Sequence, residues 1–245
     1  MTEPLFLAPL EDPQVGKPVV LAGSEGHHAA DVRRIKVGEI VWICDGNGTA
    51  VRGPVSATQK GSITVAVSEV LHSAQHPVRY VAVQALPKGD RAELAVEMLT
   101  ELGIDEIVPW QSDRSVVRWA PDRTERGLTR WRATAREAAK QCRRFRVPTV
   151  AMPMTTTELA LRIAQTDLTV VLHESAEVHL GTFEVPASGE VMFIIGPEGG
   201  LTDEEVETFT AAGGRAALIS DAVLRTSTAG VVALAQLQAL GVRGN

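Results

Sequence analysis

Two short runs late in the chain, Leu168-Thr-Val-Val-Leu172 and Val191-Met-Phe-Ile-Ile195, are apolar with almost no alternation. A strand with one face in water alternates with period two, so these runs predict strands covered on both faces, as in a parallel sheet flanked by helices. The neighbouring sequence supplies the helices. Val78 to Leu86 reads as a strand, and after Pro87-Lys88-Gly89 the side chain of Asp90 is placed to cap a helix. That helix carries Leu94, Met98, Leu99 and Leu102 on one face and ends at Gly103. Ile104 to Val108 is the next strand, closed by Pro109. Asp122 to about Phe145 is a long helix with Leu128, Trp131, Ala135, Ala138 and Cys142 on its apolar side, and Thr155 to Gln165 is another. Thr202 to Ala212, Ala216 to Ile219 and Leu224 to Leu240 complete a helix–strand–helix series.

The first 72 residues are patterned differently. Val19 to Ala22, Glu39 to Cys44 and Ser62 to Val67 are short β-type runs separated by turn signals, with Asp45-Gly46-Asn47-Gly48 the strongest. They predict a small barrel or curled sheet, and the pattern changes after His76-Pro77. The expected architecture is α/β: a β domain over residues 1–72, then an α/β domain over 73–245. Cys44 and Cys142 have no partners at zinc spacing, so neither a disulfide framework nor a metal site is expected. Met1 to Pro9 lacks the basic and long apolar regions of a secretory signal, and no run approaches ~18 apolar residues. A cytoplasmic protein with no membrane span is expected.

A formal net charge of −6 excludes a chain that coats nucleic acid with its whole surface. The charge is unevenly spread. Residues 114–146 hold 11 Lys/Arg against 3 Asp/Glu, whereas residues 147–245 hold 4 against 12. The basic stretch coincides with the long predicted helix and fits either a polyanion footprint or a solvated helix face.

Ligands of open α/β sheets sit beyond the carboxyl ends of the strands. Three segments place polar or glycine-rich sequence there: Leu172 to Ser175, Gly196 to Leu201, and Ser220 to Thr226. The second, Gly196-Pro-Glu-Gly-Gly-Leu201, permits positive φ and close backbone approach, and Thr202 with Glu205 forms a capping box for the next helix. It lacks both glycine patterns that cradle phosphates, and Glu198, Asp203, Glu204 and Glu205 would repel a phosphate there. A neutral or cationic nucleoside suits this loop better than ATP or NADP.

These residues resemble the SPOUT-class 16S rRNA (uracil-N3)-methyltransferases. The resemblance rests on Gly196-Pro-Glu-Gly-Gly-Leu201 and Leu224-Arg-Thr-x-Thr-Ala229. It extends to Leu86-Pro-Lys-Gly-Asp-Arg91, Thr100-Glu-Leu-Gly-Ile104, Asp113-Arg-Ser-Val116 and Gln141-Cys-x-Arg144. His27-His-x-x-x-Val-x-Arg34, with Gly38 and Asp45-Gly46, is similar to the family's PUA-like N-terminal domain. The resemblance implies a PUA-like β-barrel followed by a SPOUT α/β domain with a deep trefoil knot, which ordinary unknotted topology would not predict. It also implies a homodimer and S-adenosylmethionine held by Leu172, His173, Glu174, Gly196, Pro197, Glu198, Gly199, Gly200, Leu218, Ile219, Leu224 and Thr226. The implied substrate is 16S rRNA, within the assembled small subunit or as naked RNA. The chain departs from the family at Ser227, where a glutamate is usual, and at Ser220-Asp221-Ala222, where Gly-x-Arg/Lys is common. Asp221 is the local candidate to replace that glutamate.

Methyl transfer to uridine N3 needs positioning and stabilisation of an anion spread over O2, N3 and O4. Arg225 is the preferred catalytic residue, against a purely structural pairing with Glu198 or Asp221. Glu198 is expected to hold loop backbone, and His173 to line the ligand rather than act as a base. Arg33, Arg34, Arg114, Arg118, Arg123, Arg126, Gln141, Arg143, Arg144 and Arg146 are the expected RNA contacts, joined by Arg130, Arg136 and Lys140 on the helix. Trp119 is a candidate for base stacking, whereas Trp131 belongs to the apolar face. The last helix, with Val231, Leu234, Ala235 and Gln238 on one face, fits core packing or a dimer interface equally. Two other functions stay open: a different SPOUT activity such as tRNA ribose 2′-O methylation, or a catalytically silent RNA-binding or ribosome-assembly protein.

Overall fold

Alternation in the early residues resolves into six strands: β1 (Leu5–Leu7), β2 (Pro18–Leu21), β3 (Ile40–Cys44), β4 (Thr49–Gln59), β5 (Ser62–Ala66) and β6 (Glu69–His72). They form one sheet of order β1-β3-β4-β5-β2, with β6 paired to β4. β4 serves two partners because its register shifts between Val55 and Ala57, a bulge that bends the strand. Gly53 is obligatory on this strand, since a Cβ there would lie 1.9 Å from the Ala66 carbonyl oxygen. The inward side chains Phe6, Leu21, Val41, Ile43, Val51, Val55, Ile63 and Val65 make the core, closed by Ala29 from the turn that follows α1 (Gly23–His27). Burial pushes the Cys44 thiol up to about 11, so this cysteine packs as an inert apolar group.

The structure, a computed structural model, describes residues 3–243 and divides into two units. The first is not contiguous: it contains the chain up to Gln75 and also Arg136–Val147, which a division at 72/73 assigns to the second domain. The cause is local packing. Phe145 lies 5.2 Å from the Trp42 ring, Gly48 N–H donates to the Phe145 carbonyl, and Lys140 reaches Glu25 at 3.0 Å.

The second unit holds β7 (Val78–Ala85), α2 (Arg91–Leu102), β8 (Glu106–Trp110), most of α3 (Pro121–Cys142), β9 (Thr149–Val150) and α4 (Thr156–Ile163). Then follow β10 (Leu168–Leu172), β11 (Gly189–Ile195), α5 (Asp203–Ala211), β12 (Arg215–Ala217) and α6 (Thr226–Arg243). The strands form one sheet of order β12-β10-β11-β7-β8-β9, and every pairing is parallel. The two unalternating runs thus lie side by side in its middle, Leu168 opposite Val191. Thr155 and Thr202 each cap a helix through a complete capping box with Glu158 and Glu205.

Three local expectations are corrected. Pro109 does not close β8, which runs on to Trp110. Its carbonyl accepts from Met154 N–H, on the side where β9 has already ended, so the missing proline N–H leaves no ladder bond unmade. Asp90 occupies the N-cap of α2, but its side chain makes no capping bond. The buried stripe of α2 is Ala92, Ala95, Val96, Leu99 and Thr100, while Leu94 is exposed. The helix is rotated toward its small residues, which let it lie close to its neighbours.

Candidate active site

The loops leaving β10, β11 and β12 meet at the carboxyl edge of the sheet and line a cleft of about 560 Å³. Every residue carried over as cofactor-binding is on its wall: Leu172, His173 and Glu174 after β10, Gly196 to Gly200 after β11, and Leu218, Ile219, Leu224 and Thr226 after β12. Arg225 lines it too, as do Arg91, Asp203 and Asp221. The parallel pairing explains the convergence: strands that run in the same direction end at one edge, so three loops far apart in sequence share one space.

The glycine loop is held on all sides. Gly200 has φ +71°, which favours glycine, and its N–H donates to the Pro197 carbonyl. A Cβ on Gly199 would sit 3.2 Å from Arg114 Cβ, so the two backbones approach closely. From that position the Arg114 guanidinium donates to the carbonyls of Gly199 at 3.1 Å and Leu201 at 2.9 Å. Buried Glu205 accepts from Asp113 N–H at 2.8 Å and Ser112 Oγ at 3.3 Å, fixing the segment that carries Arg114. Glu198 accepts from Lys88 N–H at 3.0 Å, which is the backbone-holding role expected of it.

Beneath the loop lies a polar relay that the sequence reading missed. Thr226 Oγ1 donates to the Gly196 carbonyl at 2.9 Å and accepts from Gln84 Nε2 at 2.9 Å. Gln84 is fully buried on β7 opposite Ile195, and its Oε1 has no partner among the described residues. The signal was available: a glutamine inside the apolar run Val81-Ala-Val-Gln-Ala85 is the kind of buried polar residue that needs a reason.

The charged groups facing the cleft are mostly unspent. Arg225 is exposed and makes no ion pair among the described residues, neither with Glu198 nor with Asp221. His173 Nδ1 accepts from Ser175 N–H at 3.2 Å, which places the proton of the neutral ring on Nε2. Ser227 is buried and does not line the cleft, whereas Asp221 is exposed and does, so the two positions are not spatially equivalent.

The expected RNA contacts fare unequally. Arg123 and Arg126 on α3, Arg33 and Arg34 after α1, and Gln141 and Arg143 are exposed. Arg118 bonds the Asp113 carbonyl at 3.3 Å and stays exposed, while Arg144 is half-buried. Arg114 belongs to the cleft rim as described. Arg146 donates to the Ser73 carbonyl at 2.8 Å and lies against Gly48, a structural tie within the first unit. Lys140 is corrected outright: its ammonium is buried between Glu25 and Glu137, both at 3.0 Å. Trp131 is core, as expected. Among the described residues no cluster of metal-ligating side chains occurs, and no helix is long and apolar enough to cross a membrane.

A parallel-sheet unit with a strand-end cleft, preceded by a small β unit, is the architecture expected of a two-domain RNA methyltransferase, and the comparisons identify that class. Residues 74–238 match the RNA methyltransferase domain family, and residues 21–68 match the RNA methyltransferase PUA domain. The chain is 39% identical over 237 residues to ribosomal RNA small subunit methyltransferase E of Mycobacterium bovis, covering 94% of this chain and 90% of that one. To the Bacillus subtilis protein of the same name it is 30% identical over 225 residues, covering 89% and 88%. The solved structure of ribosomal RNA small subunit methyltransferase E from Neisseria gonorrhoeae bound to S-adenosyl methionine is similar with a TM-score of 0.86, at 26% identity and 98% coverage of each chain. The chain belongs to the ribosomal RNA small subunit methyltransferase E family.

Proposed function

We propose that this protein transfers a methyl group from S-adenosylmethionine to N3 of a specific uridine in the decoding region of 16S rRNA. The observation that carries the reading is the strand-end cleft, with its glycine loop clamped open and the Arg225 guanidinium unpaired on its wall. The cofactor fits what lines the space. Gly196, Gly199 and Gly200 line the cleft with backbone, packed so closely on the protein side that a Cβ on Gly196 would lie 3.3 Å from Leu201 Cδ2. Glu174, Asp203 and Asp221 suit a cationic sulfonium and ammonium better than a polyphosphate. We assign the binding of S-adenosylmethionine to the Leu172–Glu174, Gly196–Gly200, Leu218–Ile219 and Leu224–Thr226 segments.

When bound, S-adenosylmethionine supplies an electrophilic methyl group. The chain supplies position and charge. Arg225 donates to the uracil carbonyl oxygens and stabilises the anion left as the N3 proton passes to solvent water. His173 has its Nδ1 lone pair committed to Ser175 N–H, which favours a lining role over proton abstraction. Exposed Arg123 and Arg126 on α3, with Arg33, Arg34, Arg118, Gln141, Arg143 and Arg144, contact RNA phosphates and sugars, which positions the substrate without reading it. The same reading places the β unit as a PUA-like barrel, threads the second unit as a trefoil knot, pairs two chains in a homodimer and sets the protein to work on the small ribosomal subunit in the cytoplasm.

The test is methyl transfer from labelled S-adenosylmethionine to small subunits and naked 16S rRNA from cells lacking the activity, with tRNA as control, followed by nucleoside digestion. Label in 3-methyluridine from small-subunit RNA is the expected result. Label in a 2′-O-methyl nucleoside from tRNA overturns the substrate, and cofactor binding without transfer to any acceptor overturns the enzyme.

A further inference from the structure

A second cavity, of about 290 Å³, lies in the same unit between the start of α2 and the first half of α3. The turn Pro87 to Asp90 separates it from the cleft: Lys88 is bonded to Glu198 of the cleft and Arg91 lines the cleft, while Pro87, Asp90 and Glu93 line the cavity. Its far wall is Trp119, Arg130 and Trp131. We propose that this cavity takes an unstacked base of the RNA substrate, next to the one that is methylated. The proposal rests on the RNA methyltransferase reading and adds a substrate site to it.

The wall is built for an aromatic ring. Trp119 is half-buried, and its backbone N–H is held by Gln111 Oε1 at 3.2 Å. Its ring meets Trp131 edge-to-face, with centroids 5.3 Å apart and planes at 72°. Gly127 makes the seat, because a Cβ there would come within 2.5 Å of the Trp119 ring. An indole fixed in one orientation is a stacking platform whose ordering cost is already met before a ligand arrives. Its N–H has no partner among the described residues.

The polar groups then narrow the ligand. Glu93 is ion-paired to Arg130 through Oε1, while its Oε2 is buried and accepts no hydrogen bond among the described residues. Glu93 and Arg130 thus present a paired carboxylate and guanidinium on the wall, which suits a ligand with hydrogen-bonding groups on its edge. A flat ring bearing hydrogen-bonding groups on its edge is a nucleobase, and each of the four RNA bases carries both an N–H donor and acceptors there. The volume sits at the small end of ligand clefts, about 300 Å³, which suits one ring system and not a dinucleotide. Arg123 and Arg126, exposed on the same helix, are available to the phosphates of a strand that delivers the base.

Steady-state methyl transfer to the methylated RNA substrate, with cofactor affinity measured in parallel, tests the site. Trp119→Ala is expected to raise KM for RNA by about tenfold, with the S-adenosylmethionine Kd unchanged. Trp119→Phe should restore KM to within about twofold of wild type, since the stacking face is kept. Glu93→Gln, which preserves shape, should also raise KM. Ultraviolet crosslinking of bound RNA should leave a nucleotide adduct on Trp119. Unchanged KM in both Trp119→Ala and Glu93→Gln overturns the site while leaving the methyltransferase reading intact, as does an equal loss of cofactor affinity. A Trp119 adduct from a wild-type protein that transfers no methyl group would keep the site and sink the reading.

Discussion

At the amino edge of the parallel sheet, Arg79, Glu106, Arg162 and Glu190 close a ring of ion pairs at the starts of β7, β8 and β11 and the end of α4. At the carboxyl edge, the side chains of Arg225, Glu174, Asp203 and Asp221 make no ion pair among the described residues. The strands between the two edges are the same. What differs is where their charges are satisfied. Arg162 grips Glu106 through two bonds of 2.9 Å, so the charge taken out of water is returned to a partner inside the protein. The carboxyl edge keeps its charges wet, where they cost little to leave open and are available to a ligand. One edge spends its charges within the fold, and the other leaves them open to a ligand.

That contrast fails if either edge does the other's work. Arg225→Ala should lower kcat by about 10²–10³-fold, as loss of a donor aimed at developing charge does, and leave the unfolding midpoint unchanged. Steady-state kinetics with thermal melts of the same samples decide it. A large drop in stability with intact kcat would make the carboxyl edge structural.

Arg162→Met is the converse. It leaves Glu106 buried with Arg79 alone and should cost about 3 kcal/mol in urea unfolding, with cofactor affinity unchanged. The pH dependence sharpens the point. Burial alone pushes the Glu106 carboxyl up, but hydrogen bonds from Arg162 and Arg79 override it, so its pKa lies below the ordinary 4.5. A depressed carboxyl stabilises the folded state above its unfolded pKa, and that contribution is lost as pH falls from 4.5 through the lower folded value. Wild type should therefore lose stability steeply on acidification, and Arg162→Met less steeply. Parallel acid profiles would contradict the ring's role.

The carboxyl edge was far more legible in the sequence than the amino edge. Glycines and polar residues at the ends of apolar runs mark strand-end loops by a local rule, and Gly196 to Gly200 and Leu218 to Thr226 do line one cleft. The ring at the other edge left no local trace, because Arg79, Glu106, Arg162 and Glu190 come from four separated segments that only the sheet order brings together. The same reason hid the relay from Gln84 through Thr226 to Gly196. Burial misled in two places. Lys140 reads as one more cation on a basic helix, yet the helix turns it inward to Glu25. Leu94 reads as core, yet Ala95 and Val96 set the buried face of α2. Helical period fixes which residues share a face; it does not say which face meets the core.

Thr226 links the chemistry to the fold, and its effect should be intermediate. Thr226→Val keeps the shape and leaves the Gly196 carbonyl and one Gln84 amide proton unpaired. A cost of about 1–3 kcal/mol for such groups predicts cofactor binding weaker by about tenfold, measured by calorimetry. Gln84→Leu should cost less, because it also removes the unpartnered Oε1. Equal losses would mean that the relay acts through packing and not through its hydrogen bonds.

The smallest effect is expected away from both edges, on α3. Arg123 and Arg126 are exposed and make no ion pair among the described residues, so replacing both with Ala should leave stability and cofactor affinity alone. If each contacts one RNA phosphate, the slope of log affinity against log salt should shrink by about 2 for the pair, and RNA binding should weaken alike for all sequences. Lys140→Met provides the contrast on the same helix. Its charge is already spent on Glu25 and Glu137, so it should destabilise the fold and leave the salt slope unchanged. A helix on which one set of cations changes only the slope and another changes only the stability would repeat, within 22 residues, the division of labour expected between the two edges of the sheet. If the double variant shows no change in slope, α3 carries its charge as a solvated face, and the RNA path must run over Arg33, Arg34 and Arg143 instead.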